Sequence, residues 1–269
     1  MSEPQAGGEA PPEGRVTSER RGHLLLLGLD RPQKRNALTP DLLRALAAAY
    51  GELERSDARC GVVFAHGQDF TTGLDLLAFA ADMTLERWAP DPGSIDPWGL
   101  TPPYRLKPVV VAVHGRCWTA GLELALASDI VVAAAGTRFA QLEIRRGLVP
   151  LGGGPFRFVE RAGWGNAMRW LLTGDEFDAA EAYRLGVVQE VVEDGRQLER
   201  ALELAETIAE QAPLGVRMTR ELALQALHEG QPAAAATLDA RRLELAGTAD
   251  AAEGVAALIE RRKPQFTGR

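Results

Sequence analysis

The spacing of hydrophobic and polar positions changes period several times along the chain. Val16–Glu19 alternates, Arg21-Gly22 offers a turn and Leu24–Leu29 is almost unbroken apolar, which predicts a hairpin with one buried strand. After the loop "RPQKRNALTP", Thr39-Pro40 reads as an N-cap followed by a proline in the first helical position. Leu42, Leu43, Leu46, Ala49, Tyr50 and Leu53 then recur at helical spacing. "CGVVFAHG", "VVVAVHG" and "DIVVAAAG" are short apolar runs that predict buried strands, with a helix over Leu122–Ala127 between the last two. Strand, loop, helix and strand in this rhythm predict a parallel α/β sheet. From Gly153 onward the pattern is helical apart from Val187–Val192, and the chain ends in amphipathic helices stopped by Pro264. Trp88–Pro108 is the longest stretch without a period, and its Trp, Ile and Leu residues among prolines predict a cover over a ligand.

Composition narrows this picture. The chain has 269 residues, 46% hydrophobic and 25% charged, which suits one large domain or a core with an appendage. A net charge of −7 argues against nucleic-acid binding as the main task. Two distant cysteines, Cys60 and Cys117, and four scattered histidines give neither a disulfide framework nor a metal-ligand spacing. No protein-held metal is therefore expected, and a reducing, cytoplasmic setting fits. No apolar run is long enough to span a membrane. Residues 1–14, rich in Pro, Gly and Glu, read as a disordered tail without the features of a signal peptide.

Two stretches echo each other. "FTTGLDL" (70–76) and "WTAGLEL" (118–124) each follow an apolar strand and run through a small-residue turn into an acid flanked by leucines. Backbone N–H groups at the mouth of a helix are unpaired and carry the positive end of its dipole. Two of them converging on one carbonyl oxygen would form an oxyanion hole. Gly73 and Gly121 would allow the tight turns. Equally, Gly-rich strand–helix turns are common in all α/β folds. Two acids stand in apolar surroundings, Glu123 after the second loop and Glu143 in "FAQLEIRRGLVPLGG". If both face one pocket they would raise each other's pKa and supply a carboxylate/carboxylic acid pair. The bland alternative for each is an exposed acid or a salt bridge to Arg138, Arg145 or Arg146.

With these residues in view the chain resembles the crotonase (enoyl-CoA hydratase/isomerase) superfamily from about Val16 to Phe266. "RPQKRNALTPDLL", "FTTGLDL", "VVAVHGRCWTAGLELALASDIVVAA", "RFAQLEIRRGLVPLGG", "GWGNAMRWLLTGDEFDAAEAYRLGVVQEVV" and "ERRKPQF" match its segments in order. The resemblance implies an α/β fold with a crotonase-like ββα spiral core over residues 15–200. It also implies a helical C-terminal region over 201–269 that packs into a homotrimer or homohexamer.

The resemblance puts the oxyanion-hole N–H groups on Leu74 and Ala120, and the hydratase glutamates on Glu123 and Glu143. It implies hydration of a 2-enoyl-CoA in fatty acid metabolism, with the coenzyme A thioester as substrate and no cofactor. Lys34, Arg35, Asn36, Ala37, Leu38, Gly73, Asp75, Leu76, Trp118 and Gly121 would bind the coenzyme A and acyl parts. Arg261, Arg262 and Lys263 are candidates for its phosphates, and Trp88, Trp98 and Trp118 for the acyl pocket. Departures from the family pattern stand at Thr72, Ala120 and Leu142, and bear on substrate preference. Two alternatives remain at this stage. One is another crotonase-type isomerase, hydrolase or decarboxylase. The other is a non-catalytic acyl-CoA binding protein, against which both acids and both loops argue.

Overall fold

A computed structural model describes residues 14–79 and 91–269. Residues 1–13 of the expected tail, and Trp88 and Pro90 of the expected cover, lie outside them. The first half of the chain order is β1 (Arg15–Arg21), β2 (Leu24–Asp30), α1 (Pro40–Arg55), β3 (Cys60–Ala65), α2 (Leu76–Phe79), β4 (Val109–Val113), β5 (Arg116–Trp118), α3 (Ala120–Ala127), β6 (Ile130–Ala134) and β7 (Arg138–Ala140). There follow α4 (Gly154–Ala162), α5 (Trp164–Thr173), β8 (Phe177–Asp178), α6 (Ala179–Arg184), β9 (Glu190–Val192), α7 (Gln197–Ala209), α8 (Pro213–Glu229), α9 (Gln231–Ala246) and α10 (Ala249–Glu260).

A six-stranded sheet runs β1-β2-β3-β4-β6-β9, antiparallel only between β1 and β2. Its inner strands are continuous apolar runs because both faces are covered. Leu25, Leu27, Val63, Val111 and Val131 face the main core with α1 and α3. Leu24, Leu26, Val62, Val110 and Val132 face Ala201, Ala205 and Ala209 of α7. The boundary expected after residue 200 therefore falls inside a helix that closes the sheet, and α7 belongs to the core. Of the run Val187–Val192, Val187 and Val188 are core side chains and only Glu190–Val192 pairs as a strand.

A second sheet, β5-β7-β8, stands beside the first and has no counterpart in the sequence reading. It matters for the site, because β5 leads straight into α3 and β7 straight to Glu143. The irregular segment before β4 is partly core. Ile95 and Trp98 are buried there, and the Asp96 carboxylate accepts from the N–H groups of Trp98 (2.9 Å), Leu100 (2.8 Å) and Thr101 (3.2 Å). The C-terminal helices are tied on by ions. Asp129 pairs with Arg105 of this segment and Arg220 of α8, each at 2.7 Å. Among the described residues no helix is long and apolar enough to cross a membrane.

Candidate active site

The loop after β3 is stitched on two sides. Leu38 N–H donates to Gly73 O (2.8 Å) and Asp75 N–H to Leu38 O (2.9 Å). On the other flank Thr71 N–H donates to Arg116 O (2.9 Å) and Trp118 N–H to Thr71 O (3.0 Å). In a ladder, alternate residues direct their N–H groups to opposite sides. Since Gly73 O and Asp75 N both turn to Leu38, the Leu74 N–H turns away from it. Gly73 adopts φ +93°, and a Cβ there would come within 1.6 Å of Thr119 Oγ1, so the two echoing loops touch at this residue.

The second loop leaves β5 through Thr119, whose N–H donates to Ala140 O of β7 at 2.7 Å. Ala120 is the first residue of α3, where an N–H has no partner within the helix. Trp98 Nε1 donates to Ala120 O at 3.2 Å, in the peptide that follows the Ala120 N–H, and ties the first turn of the helix to the segment before β4. Leu74 and Ala120 both line one cavity of about 340 Å³, and neither N–H has an acceptor among the described residues.

Glu123 lies three residues after Ala120 on the same helix face, lines the same cavity and is 2% exposed. Its Oε1 accepts from Gly154 N–H at 2.8 Å, at the start of α4. Burial raises its pKa from 4.5 to about 7. The bonds from Gly154 and Gly152 oppose the rise, and the charge of Glu143 adds to it. The run Gly152–Gly154 is explained here. A Cβ at 152 would strike Trp98 and Glu123 Cβ, one at 154 would crowd Glu123 Oε1 and Gln141 Nε2, and Gly153 turns at φ +94°. Glu143 opens a short 3₁₀ turn (Glu143–Arg146) after β7 and lines the cavity as well. Burial raises its pKa to about 6 against the pull of its own backbone N–H and of Arg146. Its Oε2 is buried and unbonded among the described residues.

The remaining wall is mainly apolar, with Leu76, Phe79, Trp98, Leu148, Val149 and Leu151, and Thr72, Thr119 and Arg146 as its polar members. The chain thus presents two backbone donors and two neutralisable carboxyls in one cavity. That combination can polarise a carbonyl and move protons beside it.

Other expected site residues lie elsewhere. Asn36 is wholly buried. Its Oδ1 accepts from Arg31 N–H (2.7 Å) and its Nδ2 donates to His66 O and Asp69 O (each 2.8 Å). Its side chain therefore holds the loop and is not free for a ligand. Asp75 is ion-paired with Arg31 at 2.8 Å, and Lys34 and Arg35 are exposed on the preceding turn, at φ +51° for Arg35. Trp118 and Gly121 do not line the cavity. Arg116 lies over the Trp118 ring, and Gly121 gives room for Thr71. Arg262 is paired with Glu253 and Glu260, and Lys263 with Glu210, away from the cavity.

Sequence reasoning missed Gln141. It is 1% exposed, its Nε2 donates to Glu143 Oε1 at 3.4 Å and its Oε1 is buried without a partner among the described residues. The signal was present as a lone amide in the apolar run "FAQLEI".

A family model described as enoyl-CoA hydratase/isomerase matches residues 19–269. Enoyl-CoA hydratase EchA19 of Mycobacterium tuberculosis is 34% identical over 97% of this chain and 98% of its own length. The 1,2-epoxyphenylacetyl-CoA isomerase of Escherichia coli is also 34% identical, over 91% and 95%. The crystal structure of a probable enoyl-CoA hydratase/isomerase from Mycobacterium abscessus superposes with a TM-score of 0.92 at 46% identity, covering 94% of this chain and 98% of that one.

Proposed function

The chain belongs to the enoyl-CoA hydratase/isomerase family, and from that premise we propose that it is an enoyl-CoA hydratase, a hydro-lyase acting on 2-trans-enoyl-CoA. The observation that carries this reading is the pair Glu123 and Glu143. Both line one cavity, with pKa values raised to about 7 and about 6, beside the free N–H groups of Leu74 and Ala120.

The substrate thioester oxygen accepts from the Leu74 and Ala120 N–H groups. Ionised Glu123 takes a proton from water, and the hydroxide adds to C3. The electron pair of the double bond shifts toward the thioester and forms an enolate, which the two donors stabilise. Protonated Glu143 then delivers its proton to C2, giving the 3-hydroxyacyl-CoA. Leu76, Phe79, Leu148 and Val149 hold the acyl chain, and the exposed Lys34 and Arg35 lie on the coenzyme side. The coenzyme A thioester is the substrate, and no cofactor enters any step.

An isomerase is the second reading, favoured by the E. coli isomerase, which shares the same percentage identity as the M. tuberculosis hydratase over a somewhat shorter span. Loss of the conjugated-thioester absorbance of crotonyl-CoA separates the two. The hydratase reading requires turnover, and Glu123→Gln and Glu143→Gln should each lower kcat about 100-fold or more. The double variant should lose far less than the product of the two effects. A single variant near wild-type activity would remove that acid from the mechanism.

The working assembly is a homotrimer or a pair of stacked trimers in the cytoplasm. Trp164 (71% exposed), Leu172, Leu227, Leu258 and Ile259 support it, as apolar side chains that a lone chain leaves in water. Light scattering that gave a monomer at micromolar concentration would refute this.

A further inference from the structure

Thr119 does not behave as an ordinary threonine at the start of a helix. It is the N-cap of α3, where a hydroxyl usually accepts from the second or third helical N–H, yet its side chain makes no capping bond. Its backbone sits at φ +53°, ψ −120°, a region that a β-branched residue rarely occupies. A glycine would relieve that cost, so the side chain itself is what the position gains. Only 8% of Thr119 is exposed, and it lines the cavity of Glu123 and Glu143.

The direction of the side chain is fixed by its neighbour. Thr119 Oγ1 lies 1.6 Å from where a Cβ on Gly73 would be, so it sits against the α-carbon of Gly73. The next atom but one along the chain is the amide nitrogen of Leu74. The hydroxyl therefore lies at the seam of the two loops, one of which carries the Leu74 N–H and the other the Ala120 N–H. It makes no hydrogen bond to any described residue. Thr119 lines the cavity, so its hydroxyl is open to a ligand there and has a donor to offer it.

The geometry points to Thr119 Oγ1–H as a third hydrogen-bond donor to the thioester oxygen, alongside the Leu74 and Ala120 N–H groups. This rests on the reading of those two groups as an oxyanion hole. Its role would be to stabilise the enolate form, since a donor at that oxygen gains strength as negative charge develops there.

The test compares Thr119→Val, which keeps the shape and loses the hydroxyl, with Thr119→Ser, which keeps the hydroxyl. Thr119→Gly serves as a second hydroxyl-free variant with the backbone cost relieved, so that folding does not limit the comparison. Two readouts are used, the kcat and KM for crotonyl-CoA hydration and the red shift in absorbance of bound 2,4-hexadienoyl-CoA. The red shift reports polarisation of the thioester without requiring turnover. Val and Gly should lower kcat by about 10-fold or more, with KM nearly unchanged, and should shrink the red shift, while Ser keeps both. The proposal is overturned if Val keeps the wild-type shift and kcat. It is equally overturned if Ser is as impaired as Val, because the methyl packing on Gly73 would then be what matters. If the wild-type protein shifts the dienoyl-CoA spectrum but does not hydrate crotonyl-CoA, the hydratase reading fails and the shifts of the variants still decide the role of the hydroxyl. A bound dienoyl-CoA with no red shift in the wild-type protein overturns the hole and the third donor together.

Discussion

Replacing Glu123 with glutamine should disable the enzyme and, above neutral pH, stabilise it. The carboxyl is 2% exposed and its pKa is raised from 4.5 to about 7, chiefly by burial. Between those values the folded protein binds more protons than the unfolded chain, so stability falls as pH rises through that window. At 1.36 kcal/mol for each tenfold change in proton affinity, the loss attributable to Glu123 approaches about 3 kcal/mol by pH 8. Glutamine does not titrate, and its Oε1 can still accept from Gly154 N–H. Its new N–H₂ group brings a desolvation cost of about 1–3 kcal/mol that is the same at every pH. The quantity to measure is therefore the change with pH, not the offset. Urea unfolding of wild type and Glu123→Gln at pH 5 and pH 8, at one protein concentration, should show the variant gaining about 2–3 kcal/mol relative to wild type between the two. Part of the wild-type pH dependence should persist in the variant, because Glu143 is raised to about 6 in the same sense. An equal difference between the two proteins at both pH values would refute the argument, since it would mean that Glu123 ionises in the folded state as it does in water.

The kcat/KM for hydration should be bell-shaped, falling below about 6 where both carboxyls are protonated and above about 7 where both are ionised; a profile flat from pH 5 to 8 would exclude the pair, and the two apparent values belong to the pair as a unit. Gly73→Ala should cost at least 10-fold in kcat with a lowered melting temperature, because its Cβ would meet Thr119 Oγ1 at 1.6 Å and its φ is +93°; activity and melting temperature at wild-type levels would mean the two loops are not in contact. Asp129→Ala should destabilise the fold by about 3 kcal/mol in chemical denaturation, since it leaves Arg105 and Arg220 without their shared anion; a change under about 0.5 kcal/mol would place that cluster among ordinary surface pairs.

Much of the main sheet was legible because its strands differ from their surroundings in simple ways. Leu24–Leu29 and Val109–Val113 are apolar without a break, as strands covered on both faces must be. The Thr39 cap was equally plain, and its Oγ1 does accept from Leu42 N–H at 3.2 Å. The second sheet was not legible, for a physical reason. Arg116–Trp118, Arg138–Ala140 and Phe177–Asp178 are two or three residues long, too short for a period of two to show. They become strands through tertiary pairing alone. Asn36, which the resemblance puts near the coenzyme, carries a role that no local pattern announces, because its side-chain hydrogen bonds to Arg31, His66 and Asp69 serve the loop itself. In the site, the acids were legible as charges in apolar surroundings. What turns Glu123 toward the cavity, the N–H of Gly154, lies 31 residues away and carries no local signal.

The unequal rise of the two carboxyls bears on how a hydration cycle would close. In the proposed cycle, hydration needs Glu123 ionised and Glu143 protonated, and leaves the reverse arrangement. Burial lifts Glu123 to about 7 and Glu143 to about 6, so near neutral pH the pair can share a single proton. A tenfold preference between the two arrangements is worth about 1.4 kcal/mol. That is small beside the several kcal/mol available from hydrogen bonds to a developing enolate. The pair can thus run in either direction with little bias of its own, and the direction of turnover is set by the concentrations of enoyl- and hydroxyacyl-CoA. The same near-equality explains why both acids must be buried. A Glu143 left at 4.5 would hold the proton too rarely at neutral pH to serve as the acid, and its depth in the cavity beside Gln141 and Arg146 keeps it within reach of that task.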